Sequence, residues 1–256
     1  KFHFDKPAIV QYGHWLKNLV KFDLGYSFSK RTSVTKVLSS HMVNTLVLML
    51  FSILVTWAIA IPLGIFCAVR QYKWVDKVFS FVAYIGMSFP GFFLALLLLY
   101  AVSVIGPLPL IGQMPVGGMK SINYDDLTLV GKAFDILKHL LIPGMVLGIT
   151  AIASLQRIMR GNMLEELRAR YVTTARAKGL PENRVIYVHA LRNAINPLIT
   201  IFGYEFSSLL SGAALTEIIT SWPGLGSVML EAVRSQDLFL VMSNIMMSGF
   251  MLIAGN

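Results

Sequence analysis

The chain has 256 residues, of which 55% are hydrophobic and only 14% charged, with a formal net charge of +9. A soluble domain carries about 25% charged residues, so this composition excludes an ordinary water-soluble fold. The single cysteine, Cys67, excludes an internal disulfide framework and, lying in an apolar run, reads as a packing residue.

Residues 1–36 carry seven Lys/Arg against two Asp. An uncharged run of 24 residues follows at 46–69, then a short turn at 70–77 with Arg70, Lys73 and Lys77 against Asp76. The second uncharged run, 78–105, has 28 residues. Segment 106–138 balances three Lys against three Asp, and its pair Asp125-Asp126 reads as part of a solvated loop. A run of 17 residues at 140–156 precedes segment 157–192, which carries eight Lys/Arg against Glu165, Glu166 and Glu182. The run 193–216 is interrupted only by Glu205, and an acidic stretch with Glu217, Glu231 and Asp237 against Arg234 leads into the last run, 238–256.

At about 1.5 Å rise per residue, about 20 apolar residues cross a hydrocarbon core of about 30 Å. Five such runs predict an all-α, polytopic helical membrane protein with five visible spans, preceded by a segment over residues 1–40. The Lys/Arg excess places 70–77 and 157–192 in the cytoplasm, and parity places 106–138 and the acidic stretch outside. Parity also puts residues 1–36 outside against their charge; a long segment is a weak voter in this rule, and a further span ahead of Lys1 with a cytoplasmic start would also remove the contradiction.

Helix breakers fall inside the runs: Pro62-Leu63-Gly64, Ser88-Phe89-Pro90-Gly91, Pro143-Gly144 and Pro197. Each is read either as close helix packing or as the lining of a water-filled path, where freed backbone groups find partners. Glu205 is the other candidate path residue. On a helix it shares a face with Ile201, Ser208 and Leu209, with Gly212 a turn further on, and an intramembrane carboxyl faces a cavity or a partner. It reads either as a group attracting a cation, such as a peptide amino terminus, or as a structural carboxyl. Ser88, Pro90, Glu205, Ser208 and Gly212 are the expected path residues.

Within 157–192 the pattern predicts two short helices joined at a glycine. The first has Glu165 and Glu166 near its start and Arg176 and Lys178 near its end, as the helix dipole favours. Gly179 supplies a left-handed closing residue. Pro181 and Glu182 suit the first turn of the second helix, whose apolar face is expected from Val185, Ile186, Val188, Leu191 and Ile195. Such an elbow suits docking of a soluble partner, while basic charge beside a membrane also serves as a plain topology signal. On the outer side, Trp222-Pro223-Gly224-Leu225-Gly226 breaks the chain sharply. It reads either as a tight turn with an interfacial Trp or as an outer gate formed by Trp222, Pro223, Gly224 and Leu225.

There is no Gly-rich phosphate loop ending in Gly-Lys-Ser/Thr. The five histidines (His3, His14, His41, His139, His189) lack metal-ligand spacing. With the positive charge spread over the outer segment and the loops, nothing points to nucleic acid.

The run Thr173-Thr174-Ala175, then Gly179, then His189-Ala190-Leu191-Arg192 resembles the EAA loop of binding-protein-dependent ABC importers. Thr173, Thr174, His189 and Arg192 stand where the general pattern has Glu, Ala, Ile and Pro, and these departures are similar to the dipeptide/oligopeptide (peptide/nickel) permease variant. Asp23-Leu24-Gly25 with Ser27-Phe28 resembles the outer segment of those permeases. Ser211-Gly212-Ala213, Leu215-Thr216-Glu217 and Ser221-Trp222-Pro223-Gly224-Leu225-Gly226 resemble their outer hairpin. The resemblance implies a type I ABC importer permease domain over residues 41–256, in a bacterial or archaeal cytoplasmic membrane, with a coupling loop at about 160–194. It implies an ATPase-docking role for Thr173, Thr174, Ala175, Arg176, Lys178, Gly179, Leu180 and Glu182. The implied partners are two ATP-binding subunits holding ATP and Mg²⁺, a second related permease, a substrate-binding protein outside and membrane lipid. This chain itself is expected to bind no cofactor or metal and to catalyse nothing. Peptide is the expected cargo. Nickel or another small solute, and a membrane-embedded lipid-modifying enzyme, stay open as alternatives.

Overall fold

A computed structural model describes residues 7–21, 23–106 and 112–255, with side chains throughout except at 8, 205–212, 251, 254 and 255. The chain opens with α1 (Ala8–Leu19) and a two-stranded antiparallel hairpin, β1 (Tyr26–Ser27) and β2 (Thr32–Ser33), paired Tyr26 to Ser33. Helix α2 (Val34–Val69) follows directly, starting inside the segment expected to precede the first span. Next come α3 (Trp74–Ser88) and α4 (Gly91–Ile105), a 3₁₀ turn at Tyr124–Asp126, and the long α5 (Leu129–Leu167). Then follow α6 (Arg170–Ala177), α7 (Glu182–Arg184), a π-helical turn at Val185–Ala190, α8 (Leu191–Ala194), α9 (Asn196–Gly212), α10 (Ala214–Ile219), α11 (Leu225–Arg234) and α12 (Leu238–Gly255).

All five uncharged runs are helical, but they are not five straight rods. Helices α2 and α5 are each long and apolar enough to cross a membrane alone. The second run is α3 plus α4, bent by 102°. Pro90 lacks the N–H to continue α3, and the residue before a proline is pushed out of the helical region. Phe89 accordingly sits at φ −96°, ψ 132°. The fourth run bends by 44° between Glu182–Ala194 and Asn196–Tyr204, ahead of Pro197. The fifth contributes the shorter apolar stretch Leu238–Phe250 of α12.

The spine of the molecule is α2 against α5. On α2, Ser52, Thr56, Ala60, Gly64 and Ala68 recur every four residues, hence on one face, and all are buried. A Cβ on Gly64 would lie 2.7 Å from Met159 Cβ, and one on Gly144 would lie 2.5 Å from the Phe51 ring. Between apolar spans in lipid, association depends on close packing of small residues. Gly64 and Gly144, open between packing and path lining on the sequence, are therefore packing residues.

Loops sort to two ends. At one end, the basic turn 70–77 and the segment 157–192 meet: Arg160 binds Asp76 through Nε–Oδ1 and Nη2–Oδ2, both 2.7 Å. Asp76 also accepts from the Tyr72 N–H at 3.0 Å. At the other end, the β1–β2 hairpin, the 112–128 loop, α10, α11 and the start of α12 come together. There the Gly118 N–H donates to the Thr220 carbonyl at 3.0 Å, and Lys30 Nζ meets Glu231 Oε1 at 2.6 Å.

Candidate functional site

The elbow departs from the expected pair of helices in two ways. Glu165 and Glu166 belong to the last turn of α5, and the break comes at Ala169, which is extended at φ −65°, ψ 148°. They therefore lie before the elbow's first helix and not at its start. Glu166 instead accepts a hydrogen bond from the Tyr171 hydroxyl, across the break. The second departure is the π turn. Its wider winding puts Val185, Ile186, Ala190, Ala194 and Leu198 on the buried face and turns Val188 outward, half exposed. The expected apolar face counted Val188 in because it assumed regular α spacing.

The inner face of the elbow is part of the spine's core. Val172, Ala175, Val185, Ile186, Ala190 and Ala194 form one buried cluster with Leu155, Met159 and Met163 of α5 and Ala60, Ile65 and Ala68 of α2, and Leu180 packs against it. Asn162 Nδ2 adds a hydrogen bond to the Ala194 carbonyl at 3.2 Å. Gly179 has φ +74° with open space around the missing Cβ, as its predicted closing role requires. Arg176 clasps the turn: Nη2 and Nε reach Glu182 at 2.7 and 3.2 Å, and Nη1 reaches the Leu167 carbonyl at 3.4 Å. Thr173, Thr174, Arg176, Lys178, Gly179 and Glu182 are exposed on the outer face. Ala175 and Leu180 are not. Ala175 is 6% exposed and belongs to the buried cluster shared with α2 and α5, so a bulky residue there disturbs that cluster before it meets any partner.

The opposite end holds a joint that the sequence did not reveal. Trp222 is fully buried, with Nε1 donating to the Asn44 carbonyl at 3.0 Å, and Asn44 Nδ2 returns a bond to the Pro223 carbonyl at 2.8 Å. Glu217 is fully buried as well. It accepts from Thr45 Oγ1 at 2.7 Å and from the Gly226 N–H at 2.7 Å, while Thr45 Oγ1 accepts from the Leu225 N–H at 2.9 Å. Burial pushes the Glu217 carboxyl up from its ordinary value, partly offset by the hydrogen bonds from Thr45, Gly226 and Ser227. Leu225 packs among Val34, Val37 and Leu38. Trp222 and Leu225 are therefore not exposed side chains of a simple surface turn: both are buried anchors of a joint between α2 and the chain after α10.

Two more buried carboxylates tie loops at this end. Asp135 accepts from the Ser121 N–H at 2.9 Å and its hydroxyl at 2.5 Å. Asp237 accepts from Ser27 Oγ at 2.6 Å and from the Ser29 N–H at 3.0 Å, fastening the β-hairpin to the start of α12. Burial works to raise the Asp237 carboxyl, but the donors from Ser27, Ser29 and Leu240 outweigh it and hold it low.

Of the expected path residues, Ser88 and Pro90 lie exposed at the α3–α4 bend, with Ser88 Oγ donating to the Tyr84 carbonyl at 2.8 Å. Glu205, Ser208 and Gly212 lie outside the residues whose side chains are described. His139 is buried, its Nδ1 2.8 Å from the Asp135 carbonyl oxygen, and among the described residues no three His, Cys, Asp or Glu come together as a metal set.

Apolar helices closed on each other by small residues, with a clasped polar elbow seated on two of them, define a helical membrane protein. Comparison with known proteins gives the family: residues 60–256 match the binding-protein-dependent transport system inner membrane component family, and the chain belongs to it. The chain is 37% identical over 257 residues to the oligopeptide transport system permease protein AppB of Bacillus subtilis (strain 168), covering 100% of this chain and 78% of that protein. It is 36% identical to the di/tripeptide transport system permease protein DppB of Pseudomonas aeruginosa (strain UCBPP-PA14), covering 98% and 77%. To the dipeptide transport system permease protein DppB of Escherichia coli (strain K12) it is 35% identical, covering 98% and 78%. Membership sets aside the lipid-modifying enzyme: the chain is a transport component.

Proposed function

We propose that this chain is the permease subunit of a peptide importer, driven through its elbow by an ATP-binding subunit. The observation that carries the proposal is the two-sidedness of the elbow. Its inner face belongs to the α2–α5 core, and its outer face presents Thr173, Thr174, Arg176, Lys178, Gly179 and Glu182. A load on the outer face therefore reaches both spans without bending a loop in between. Peptide, rather than nickel or another small solute, is favoured by the printed names of the relatives.

In this reading the elbow and the 70–77 turn face the cytoplasm, and the carboxylate-tied end faces outward in the cytoplasmic membrane. Two ATP-binding subunits hold ATP and Mg²⁺, a second permease lies alongside, and a binding protein delivers the cargo. Alternating access then follows from rigid movement of packed spans. The test is a single cysteine at Thr174 in the assembled transporter. A short bifunctional thiol reagent is expected to cross-link it to an introduced cysteine on the ATP-binding subunit, with a yield that changes on ATP binding. No cross-link from Thr173, Thr174 or Lys178 to any ATP-binding subunit would end the docking proposal.

A further inference from the structure

We propose that a recess between α3 and α5, beside the Asp76–Arg160 pair, holds the phosphate group of an anionic phospholipid. The recess measures about 290 Å³ with its open mouth and is lined by Ser80, Tyr84, Met87, Gln156, Arg157 and Arg160, among others. Five polar side chains line it: the hydroxyls of Ser80 and Tyr84, the Gln156 carboxamide and two guanidinium groups, with the Ser80 hydroxyl already donating to Asp76 Oδ1 at 3.4 Å. Gln156 is 3% exposed, and its Nε2 has no hydrogen-bond acceptor. The thiol of Cys67 lies beside it, but a thiol is a weak acceptor. A buried amide donor whose acceptor is at best a thiol is poorly satisfied, so an oxygen-rich ligand suits this site better than an empty one.

Charge selects the ligand's sign. Arg160 is matched by Asp76 through two 2.7 Å bonds. Arg157 has no ion-pair partner among the described residues and leaves the recess with one uncompensated positive charge. A phosphate monoanion supplies the opposite charge and accepts from planar guanidinium groups.

Position selects the source. Arg157 directly follows the uncharged run 140–156, at the level where a span meets the headgroups. Further along α3 the recess is lined by Tyr84 and Met87, both exposed, and the neighbouring Phe81, Val82 and Ile85 are exposed as well. An acyl chain has an apolar surface to follow there, which a free phosphate does not need. Basic pockets between spans are a recurrent mode of phospholipid recognition.

The test uses the assembled transporter with the full chain, in nanodiscs of phosphatidylcholine with a minor share of phosphatidylglycerol. Retained lipid is counted by native mass spectrometry. The wild type is expected to retain phosphatidylglycerol in preference to phosphatidylcholine. Loss of one charge-assisted bond in Arg157→Gln should weaken retention by roughly tenfold or more, while Arg157→Lys keeps most of it. Gln156→Leu, which keeps the volume and removes the donor, should also weaken it. Excess inorganic phosphate should leave the lipid in place. Equal retention by wild type and Arg157→Gln overturns the proposal, and displacement by inorganic phosphate reassigns the recess to a soluble anion.

Discussion

Two glycines make room for one carboxylate. A Cβ on Gly224 would lie 2.1 Å from Glu217 Oε1, and one on Gly226 would lie 2.3 Å from the Ala214 Cα. Backbone is the harder obstacle, so Gly226→Ala must shift α10 or α11. The expected cost is about 1–3 kcal/mol, as for other overpacked sites, read as a lower Tm of the detergent-solubilised protein; an unchanged Tm would mean that the joint is loose. Two of the three buried carboxyls of this end, Asp237 and Glu217, also predict opposite pH slopes. Asp237 is held below its ordinary value, so its contribution is full above about pH 4 and is lost as pH falls through the lower folded value. Glu217 is raised, so its contribution is full below about pH 4.3 and declines as pH rises through the folded value. Asp237→Asn should flatten the acid side of a Tm–pH curve and Glu217→Gln the side above it; the same curve for all three proteins would remove both assignments. In the sequence, Trp222-Pro223-Gly224-Leu225-Gly226 was legible as a break and Glu217 only as a loop charge. That the two form one buried unit was not legible, because it depends on Asn44 and Thr45, which come from far away in the chain.

At the scale of one element, the elbow separates two substitutions that are neighbours in sequence. Thr174 is exposed and Ala175 is buried against α5. Thr174→Trp should leave the fold intact and abolish transport-substrate stimulation of ATP hydrolysis. Ala175→Trp should lower Tm and yield, because it forces an indole into the buried cluster that Ala175 shares with Met159 and Met163. Equal thermal stability of the two variants would contradict the seating of α6. The π turn gives a second pair: Val188→Asp should be tolerated, and Ala190→Asp, at a fully buried position, should cost several kcal/mol as an unpaired buried charge. The reverse order in a thermal-shift assay would restore the regular helix. Gly179 and Pro181 placed the elbow in the sequence, and the positive φ followed from glycine. Its facing was misread at Val188, since no residue type there signals a change from four-residue to five-residue hydrogen bonding.

Across the whole molecule, the uncharged runs announced the spans, and Ser88-Phe89-Pro90-Gly91 announced the sharpest bend. The partnership of α2 and α5 was written less openly, in small residues four apart. Gly144→Leu should part the two spans at Phe51 and reduce folded yield more than Gly161→Leu, where a Cβ meets nothing within 4 Å. Equal yields would show that α2 and α5 are not the spine. The tie between Asp76 and Arg160 was hidden because each counted only as a loop charge. Their meeting depends on the packing of α3 on α5, which no local pattern encodes.

Helix α5 is 39 residues long, or roughly 58 Å at about 1.5 Å per residue. It carries the Asp135–Ser121 tie near its first turns and the Arg160–Asp76 pair and the elbow near its last. Pro143 lies inside it without ending the helix, and as one beam of that length it acts as a lever: a tilt of about 5° displaces its far tip by about 5 Å over roughly 58 Å. Spin labels at Leu129 and Glu165 should keep a fixed separation through the transport cycle while each moves against α12; a changing separation would show that the beam flexes. If it holds, the two ends communicate by leverage about a fulcrum, and no relay of switching side chains has to cross the bilayer between them.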